Sequence, residues 1–253
     1  MMTTIPTAGG TRVTVSPTAD EAGAAAARAA ADAVVAAISA AGRARVVFAS
    51  APSQDAMLRG LTSDSRIDWS RVQCLHMDEY IGIDPDDPRG FGAWLAERLP
   101  VAELASFDRI DPAADPQTEA ARYEAVVRAA PIDVTCLGFG VNGHIAFNEP
   151  GMTDAHDPRA VRTVDLTPQS RRQQVDDGQF DHIDDVPRTA ITLTVPALLS
   201  AGTLVATVLG ERKAAAVTAA LTGPIGPDCP ASLIRRHGSY TVHVDAVAAT
   251  GLA

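Results

Sequence analysis

Residues 133–151 of this chain read DVTCLGFGVNGHIAFNEPG and pass from an apolar run into glycines and polar groups. The apolar, partly β-branched residues 134–137 predict a short strand that is covered on both faces of a parallel sheet. The glycines that follow allow the backbone to turn sharply and to approach a ligand closely. Asn142, His144 and Glu149 come next, so an amide, an imidazole and a carboxylate gather beyond the strand. Ligands bind at that edge of open α/β sheets, and the stretch therefore predicts a functional site.

The same glycines spell GxGxxG after a predicted strand, which is the pattern of dinucleotide-binding loops. In that pattern the loop opens a helix, whereas residues 148–151 here contain three helix breakers. A lone histidine is most often a partly buried residue with satisfied hydrogen bonds, but His144 has Asn142 and Glu149 beside it. We therefore interpret the loop as catalytic and expect these three side chains to act together.

The composition is typical of a protein that binds small molecules. Strand and helix patterns alternate along the 253 residues without a linker-like gap, so we expect one domain over residues 1–253. The formal net charge of −10 disfavours nucleic acid and anionic membranes as partners, although it leaves room for a local pocket that binds a small anion.

The cysteines and the N-terminus bear on the compartment. Cys74, Cys136 and Cys229 are an odd number, and the first two lie in predicted buried strands, which favours reduced thiols of a cytoplasmic protein over a disulfide framework. The N-terminus lacks the basic and apolar regions of a signal peptide, and we expect no apolar run long enough to span a membrane.

The alternation of strands and helices predicts an α/β fold with a mostly parallel sheet between helices on both faces. The predicted strands are 13–15, 45–49, 71–77, 134–137, 160–166, 188–195, 203–210 and 240–244. The predicted helices are 19–41, one from residue 56, 91–99, 117–130, 211–221 and one near 232–236.

The strand at 71–77 delivers two acidic residues, Asp78 and Glu79, to its carboxyl end. Neighbouring residues of a strand point to opposite faces, so only one of the two carboxylates can face a pocket. The other one is expected to be structural.

Ser50, Ser53 and Gln54 lie between the strand at 45–49 and the following helix. The hydroxyls and the free N–H groups at the start of that helix would suit an anion, and the alternative is that Ser53 only caps the helix. Lys213 is the one lysine of the chain and follows the strand at 203–210, where its ammonium group would also suit an anion. The alternative for Lys213 is a solvated position on the helix surface.

Two motifs resemble the glucosamine-6-phosphate deaminase (isomerase) family: MDEYIG at 77–82 and GFGVNGHIAFNEPG at 138–151. The likeness extends from the loop at Ser50 to GERKA at 210–214. It implies a Rossmann-like α/β domain and hydrolytic deamination of glucosamine 6-phosphate, with aldose–ketose isomerisation, to fructose 6-phosphate and ammonia. It implies no metal or nucleotide cofactor.

By position in those motifs, Asp78 resembles the family's base at substrate C2, and His144 resembles its ring-opening residue. Glu149 resembles the carboxylate that assists His144, and Lys213 resembles a phosphate ligand. Asn142 stands where the family often has an aspartate, and its amide would orient His144 without adding a charge.

The phosphate contacts differ from the usual family pattern. The loop ASAPSQ at 49–54 replaces a loop that is usually rich in glycine and threonine. We expect this loop, together with Gly143, to contact the substrate. For the family's phosphate-binding arginine we consider Arg171 and its neighbour Arg172.

Two other functions stay open. The related 6-phosphogluconolactonase family shares the glycine-rich strand end and the histidine, but its motif does not continue as FNEP, the residues at 147–150 here. The altered loop at 49–54 would also suit a catalytically weak sugar-phosphate sensor. In the preferred interpretation the partner is a small amino-sugar phosphate, and the chain assembles, if at all, as a homo-oligomer.

Overall fold

The computed structural model describes residues 3–6 and 12–252 of the chain. The strands, in chain order, are β1 (Thr3–Pro6), β2 (Arg12–Ser16), β3 (Ala44–Phe48), β4 (Val72–His76), β5 (Asp78–Tyr80), β6 (Ser106–Asp108), β7 (Val134–Leu137), β8 (Val161–Asp165), β9 (Thr189–Leu193), β10 (Thr203–Val208) and β11 (Tyr240–Asp245). The α-helices are α1 (Ala19–Ala41), α2 (Asp55–Thr62), α3 (Phe91–Ala96), α4 (Pro116–Arg128), α5 (Pro168–Asp176), α6 (Val195–Leu198) and α7 (Ala214–Thr222).

Eight of these strands form a central sheet in the order β1-β2-β11-β10-β7-β3-β4-β6. Neighbouring strands from β2 to β6 pair in parallel, and the edge strand β1 pairs antiparallel with β2. The predicted strand at 134–137 is β7, and it lies between β10 and β3 with all four residues buried. The mostly parallel sheet that the sequence predicts is thereby confirmed.

Helices cover both faces of the central sheet, as β3 illustrates. Val47 packs in one core with residues of α4 and α7, whereas Val46 and Phe48 pack in the other core with residues of α1 and α2. Consecutive strand residues point to opposite faces, so a strand between two apolar cores is mostly apolar. The one charged residue of β3, Arg45, donates to the Gln73 side chain and to the carbonyls of Val126 and Val127. All five residues of β3 are buried.

Helix α1 begins and ends where the sequence predicts, because both ends are capped. The Thr18 hydroxyl accepts from the Glu21 N–H and the Glu21 carboxylate accepts from the Thr18 N–H, and Gly42 follows the helix at φ 74°. α1 has 23 residues, and an 18-residue window of it has a mean hydropathy of 1.4. By length and composition alone it could therefore cross a membrane, and the expectation that no apolar segment is long enough is wrong. In the structure, α1 packs its alanines on α2, where small residues such as Gly60 allow the two helices to approach closely.

Beside the mostly parallel sheet the chain forms a second, three-stranded sheet, which the strand patterns do not predict. The predicted strands at 160–166 and 188–195 are β8 and β9, and they pair antiparallel with each other. β5 joins them in the order β5-β9-β8, also antiparallel. The chain leaves β4 of the central sheet at Met77 and enters β5 of the small sheet at Asp78. Strand patterns alone do not specify which strands become neighbours.

Two predicted helices are partly or wholly of the tighter 3-10 type. The predicted helix at 211–221 begins as a 3-10 turn, Glu211–Lys213, before α7, and the one near 232–236 is a 3-10 helix, Pro230–Arg236. The three cysteines are unpaired, and burial raises the pKa of the Cys136 thiol to about 12. Their reduced state fits the prediction from the sequence.

Candidate active site

A cavity of about 380 Å³ opens beyond the carboxyl ends of β3, β4, β7 and β10. Of the residues predicted from the sequence, six line it: Ser50, Ser53, Gln54, Asp78, His144 and Lys213. Four strands that are far apart in the chain therefore deliver their polar groups to one place, as expected for an open α/β sheet. Of the other predicted residues, Asn142 and Glu149 lie behind His144.

His144 belongs to a hydrogen-bonded group that includes Asn142 and Glu149. The Asn142 amide nitrogen donates to Glu149 Oε2 at 2.7 Å, so the amide oxygen faces His144, where it lies 2.8 Å from Nδ1. The His144 Nδ1 atom is also 3.4 Å from Glu149 Oε1. Because Nδ1 has only acceptors near it, the proton of the neutral ring lies on Nδ1, and Nε2 is left as the proton acceptor.

The electrostatics of this group favour the neutral imidazole. Burial lowers the pKa of His144, the Glu149 charge opposes that effect, and the Lys213 charge adds to it. Ser170 Oγ donates to Glu149 Oε1 from α5, so the carboxylate has donors on both of its oxygens. A neutral histidine near a fixed carboxylate can act as the acid and base that open a pyranose ring.

Local backbone conformation explains the glycines of the loop. A Cβ on Gly140 would lie 2.1 Å from the His144 ring, so only glycine allows that ring to lie there. Gly143 has φ 84° and its N–H donates to the Gly140 carbonyl. Between Leu137 and β8 the chain forms no helix, which agrees with the catalytic interpretation rather than the dinucleotide one.

Ala146 is held in a conformation that is unusual for a residue with a Cβ. It has φ 50°, and among the described residues other than glycine it is the one with a positive φ. Ala146 lines the cavity two residues after His144. Such strained residues persist where the surrounding structure fixes them, often at functional sites.

Asp78 and Glu79 divide their roles as the alternation along the strand predicts. Asp78 lines the cavity, and within the described ranges nothing donates a hydrogen bond to its carboxylate. Burial raises the pKa of Asp78 well above its ordinary value, and the Glu79 charge adds to the rise. Such a carboxylate, once ionised, is a strong proton acceptor.

Glu79 is structural and holds the start of α3. Its Oε1 accepts from the N–H groups of Tyr80 at 2.9 Å and Phe91 at 3.0 Å, and its Oε2 accepts from the Gly92 N–H at 2.7 Å. Burial raises the pKa of Glu79 to about 7, although these three bonds oppose the rise. The carboxylate therefore replaces the missing capping side chain of α3.

The loop after β3 presents hydroxyls, an amide and free N–H groups to the cavity. Gln54 lies fully buried, its Nε2 donates to the Thr207 carbonyl at 3.1 Å and its Oε1 has no partner in the described structure. No side chain caps the 3-10 turn Pro52–Gln54 or the α2 helix that follows it. The alternative that Ser53 serves as a helix cap is therefore wrong. The N–H groups of Gln54 and Asp55 donate to the carbonyls of Ala51 and Pro52 within the turn, whereas the described structure gives no partner for the Ser53 N–H, which stays available to an anion.

Lys213 lies half-buried at the start of α7 and lines the cavity, so the alternative of a solvated surface lysine is wrong. Burial lowers the pKa of its ammonium group, the Asp177 charge opposes that effect, and the Arg212 charge adds to it. A half-buried ammonium group that lines the same cavity as the loop after β3 is suited to a phosphate.

Three residues that the sequence analysis considers as substrate contacts, Arg171, Arg172 and Gly143, lie outside the cavity lining. The Arg171 guanidinium is turned toward the backbone, where it donates to the carbonyls of Val186 at 3.2 Å and Ile183. Arg172 is exposed on α5. Gly143 packs against Cys229 and donates no atom to the cavity wall. The assignment of a phosphate-binding arginine stays a prediction that this arrangement does not support.

Sequence reasoning missed one wall of the cavity, which α5 and α3 provide. Gln173, Gln174 and Asp177 line the cavity from the end of α5, and Phe91 and Trp94 line it from α3. α5 buries mainly polar residues, so it lacks the apolar periodicity that marks a helix. The Thr-Pro pair that opens α5, with a side-chain cap and a proline in its first turn, is the signal that could have revealed it.

A family model for glucosamine-6-phosphate isomerases/6-phosphogluconolactonase matches residues 17–243. The chain belongs to this family. Among relatives of the family, it is 36% identical over 187 residues to a glucosamine-6-phosphate deaminase of Exiguobacterium sibiricum, a match that covers 73% of this chain and 72% of the relative. It is 32% identical over 228 residues to a glucosamine-6-phosphate deaminase of Leuconostoc citreum, covering 84% and 95%.

Solved structures of the family share the fold. A monomeric glucosamine-6-phosphate deaminase superposes with a TM-score of 0.85 at 29% identity, covering 94% of this chain and 99% of the other. A 6-phosphogluconolactonase from Trypanosoma cruzi superposes with a TM-score of 0.79 at 14% identity, covering 97% and 98%. The second likeness is one of fold alone.

The arrangement can hold a small phosphorylated sugar between an anion-binding end and an acid–base end. Lys213 and the loop after β3 line the cavity with groups that suit an anion, and Asp78 and His144 line it with groups that suit proton transfer. Across the described ranges, no three histidine, cysteine or acidic side chains are grouped closely enough to hold a metal ion.

Proposed function

We propose that this protein catalyses the hydrolytic deamination and isomerisation of glucosamine 6-phosphate to fructose 6-phosphate and ammonia. The observation that carries the proposal is that Asp78 and the hydrogen-bonded His144 group meet in one cavity with Lys213. Relatives named glucosamine-6-phosphate deaminase, 32% to 36% identical, support the choice of reaction.

The acid–base groups suit the first step, opening of the pyranose ring. The His144 Nε2 atom accepts the proton of the anomeric hydroxyl and delivers it to the ring oxygen as the bond between C1 and that oxygen breaks. Asn142 and Glu149 hold the imidazole in the required tautomer. The product of this step is the open-chain aldehyde with its amine at C2.

Asp78 suits the second step, the transfer of a proton from C2 to C1. Its unbonded carboxylate removes the C2 proton, which the aldehyde next to it acidifies, and returns a proton to C1. The C2 ammonium group gives a proton to the aldehyde oxygen, so the product has an iminium at C2 and a hydroxymethyl group at C1. Water then adds to the iminium at C2, and ammonia leaves to give the ketone of fructose 6-phosphate. Atoms balance with one water consumed for each ammonia released.

We assign the phosphate of the substrate to Lys213 and to the loop of Ser50, Ser53 and Gln54. The ammonium group supplies the charge, and the uncapped helix start supplies N–H donors. We further propose that the protein works in the cytoplasm, in keeping with its unpaired cysteines. We also propose that the sugar phosphate is its partner and that any assembly is a homo-oligomer, which a measurement of the oligomeric state tests.

A panel assay tests the proposed function. Ammonia release from glucosamine 6-phosphate, its 2-epimer and 4-epimer, and glucosamine without phosphate is measured beside hydrolysis of 6-phosphogluconolactone and ligand-induced thermal shifts. Ammonia release that depends on the phosphate supports the proposal. Lactone hydrolysis without ammonia release favours the lactonase, and thermal shifts without turnover favour the sensor.

A further inference from the structure

His76 is a buried histidine that the catalytic steps above do not use. It is the last residue of β4, is fully buried, and lies outside the cavity lining. Two residues later the chain starts β5 with Asp78. His76 therefore sits at the point where the chain passes from the central sheet to the small one.

The backbone of Asp78 lies on a free edge of the small sheet. β5 is an edge strand, and the Leu193 N–H donates to the Met77 carbonyl while the Ile81 N–H donates to the Thr189 carbonyl. Residues of an antiparallel ladder alternate between hydrogen-bonded and non-hydrogen-bonded pairs, and Asp78 and Thr192 form a pair of the second kind. The Asp78 carbonyl therefore points away from β9. Its partner there is His76, whose Nδ1 lies 2.9 Å from the carbonyl oxygen.

The second ring nitrogen of His76 fixes the tautomer. The Ile110 N–H donates to Nε2 at 2.9 Å, so Nε2 is unprotonated and Nδ1–H is the donor to the Asp78 carbonyl. Burial lowers the pKa of His76 to about 3. The neutral ring thus bridges a loop beyond β6 and the backbone of Asp78.

The backbone of His76 is itself held from α4. The Tyr123 hydroxyl accepts from the His76 N–H at 3.0 Å and donates to the His76 carbonyl at 2.8 Å. Tyr123 is fully buried. Because these groups are buried and paired, the imidazole has little freedom to move relative to the central sheet.

We propose that His76 is a positioning residue for catalysis, which holds the backbone of Asp78 so that its carboxylate reaches the substrate carbon. The inference rests on the proposed function, in which Asp78 transfers the carbon proton. A displacement of about 1 Å at a reacting group can cost about 10²-fold in rate, so a lost backbone anchor next to the base is expected to lower kcat.

Two variants separate positioning from general stability. Asparagine places an amide nitrogen near the position of Nδ1, and glutamine places an amide oxygen near that of Nε2. His76→Asn therefore keeps the donor to Asp78, whereas His76→Gln keeps the acceptor for Ile110. We expect kcat within about threefold of wild type for His76→Asn and at least about tenfold lower for His76→Gln, with KM within about twofold in both.

The measurements are ammonia release, proton exchange at C2 in D₂O and thermal unfolding of each variant. Equal kcat values for the two folded variants, or a loss that follows the melting temperature, overturn the inference. If either variant does not fold, Tyr123→Phe replaces it: a lower kcat at unchanged KM supports the inference, and an unchanged kcat overturns it. A wild type that releases no ammonia and exchanges no proton instead refutes the proposed function, and the inference falls with it.

Discussion

Replacing Asn142 with aspartate adds a charge inside the group that we assign to ring opening. One oxygen of the new carboxylate would take the place of the amide oxygen, 2.8 Å from His144 Nδ1. The other would take the place of the amide nitrogen, 2.7 Å from Glu149 Oε2. The variant therefore brings a negative charge next to the imidazole and next to an existing carboxylate at the same time.

Both contacts change proton affinity in the same direction. At an effective dielectric constant near 20, unit charges about 2.7 Å apart interact by ~6 kcal/mol before desolvation and screening. The new charge attracts a proton to His144, and the repulsion between the two carboxylates is relieved by a proton that they share. Either proton converts the group from base to acid, so the acid limb of the pH–rate profile moves to higher pH. Since most of the Coulomb energy is offset, we expect a shift of about one pH unit, equivalent to ~1.4 kcal/mol.

The assay is the pH dependence of kcat and kcat/KM for wild type and Asn142→Asp with glucosamine 6-phosphate. Asn142→Ala is the matched control, because it loses both hydrogen bonds without adding a charge. The aspartate variant should shift further upward than the alanine variant, with kcat at the pH optimum little changed if ring opening is not rate-limiting. Superimposable acid limbs for wild type and Asn142→Asp would refute the link between Asn142 and His144.

Two further predictions concern the phosphate end and the structural carboxylate. Lys213→Ala should weaken binding of phosphorylated sugars by about 1.5 to 3 kcal/mol, the range for a charge-assisted hydrogen bond. Arg212→Ala, at the exposed neighbouring residue, is the control and should not weaken it. Equal losses of affinity in the two variants, measured by titration calorimetry, would contradict the assignment of Lys213 to the phosphate. Glu79→Gln should lower the free energy of unfolding by about 1 to 3 kcal/mol, because an amide cannot accept all three backbone N–H groups, with the proton-transfer step intact. Denaturant unfolding and kcat are measured together, and unchanged stability with lost activity would move the catalytic role from Asp78 to Glu79.

The sequence predicts the parts of the fold that local chemistry determines. The fully buried β7 and the capped α1 fall where the pattern puts them. Glycines at 138, 140 and 143 indicate a loop that approaches a ligand, and Gly140 does admit the His144 ring. Alternation along the strand also separates Asp78 from Glu79.

Long-range pairing explains what the sequence does not predict. β8 and β9 have ordinary strand patterns, but the antiparallel pairing of β9 with β5 depends on the chain leaving the central sheet at Met77. The apolar periodicity of the sequence does not predict α5, because its buried side chains are serine and glutamine rather than apolar residues. The assignment of Arg171 to phosphate came from sequence proximity, and in the structure its guanidinium faces backbone carbonyls.

The most direct test of the account is the fate of the C2 proton. Wild type and Asp78→Asn are incubated with glucosamine 6-phosphate in D₂O, and ammonia, fructose 6-phosphate and deuterium at C1 are followed by NMR. We expect equal amounts of ammonia and fructose 6-phosphate and deuterium at C1 from wild type. In the variant we expect turnover at least about 10²-fold slower, with substrate binding retained. Normal turnover and normal deuterium incorporation by Asp78→Asn would contradict the assignment of Asp78 as the base.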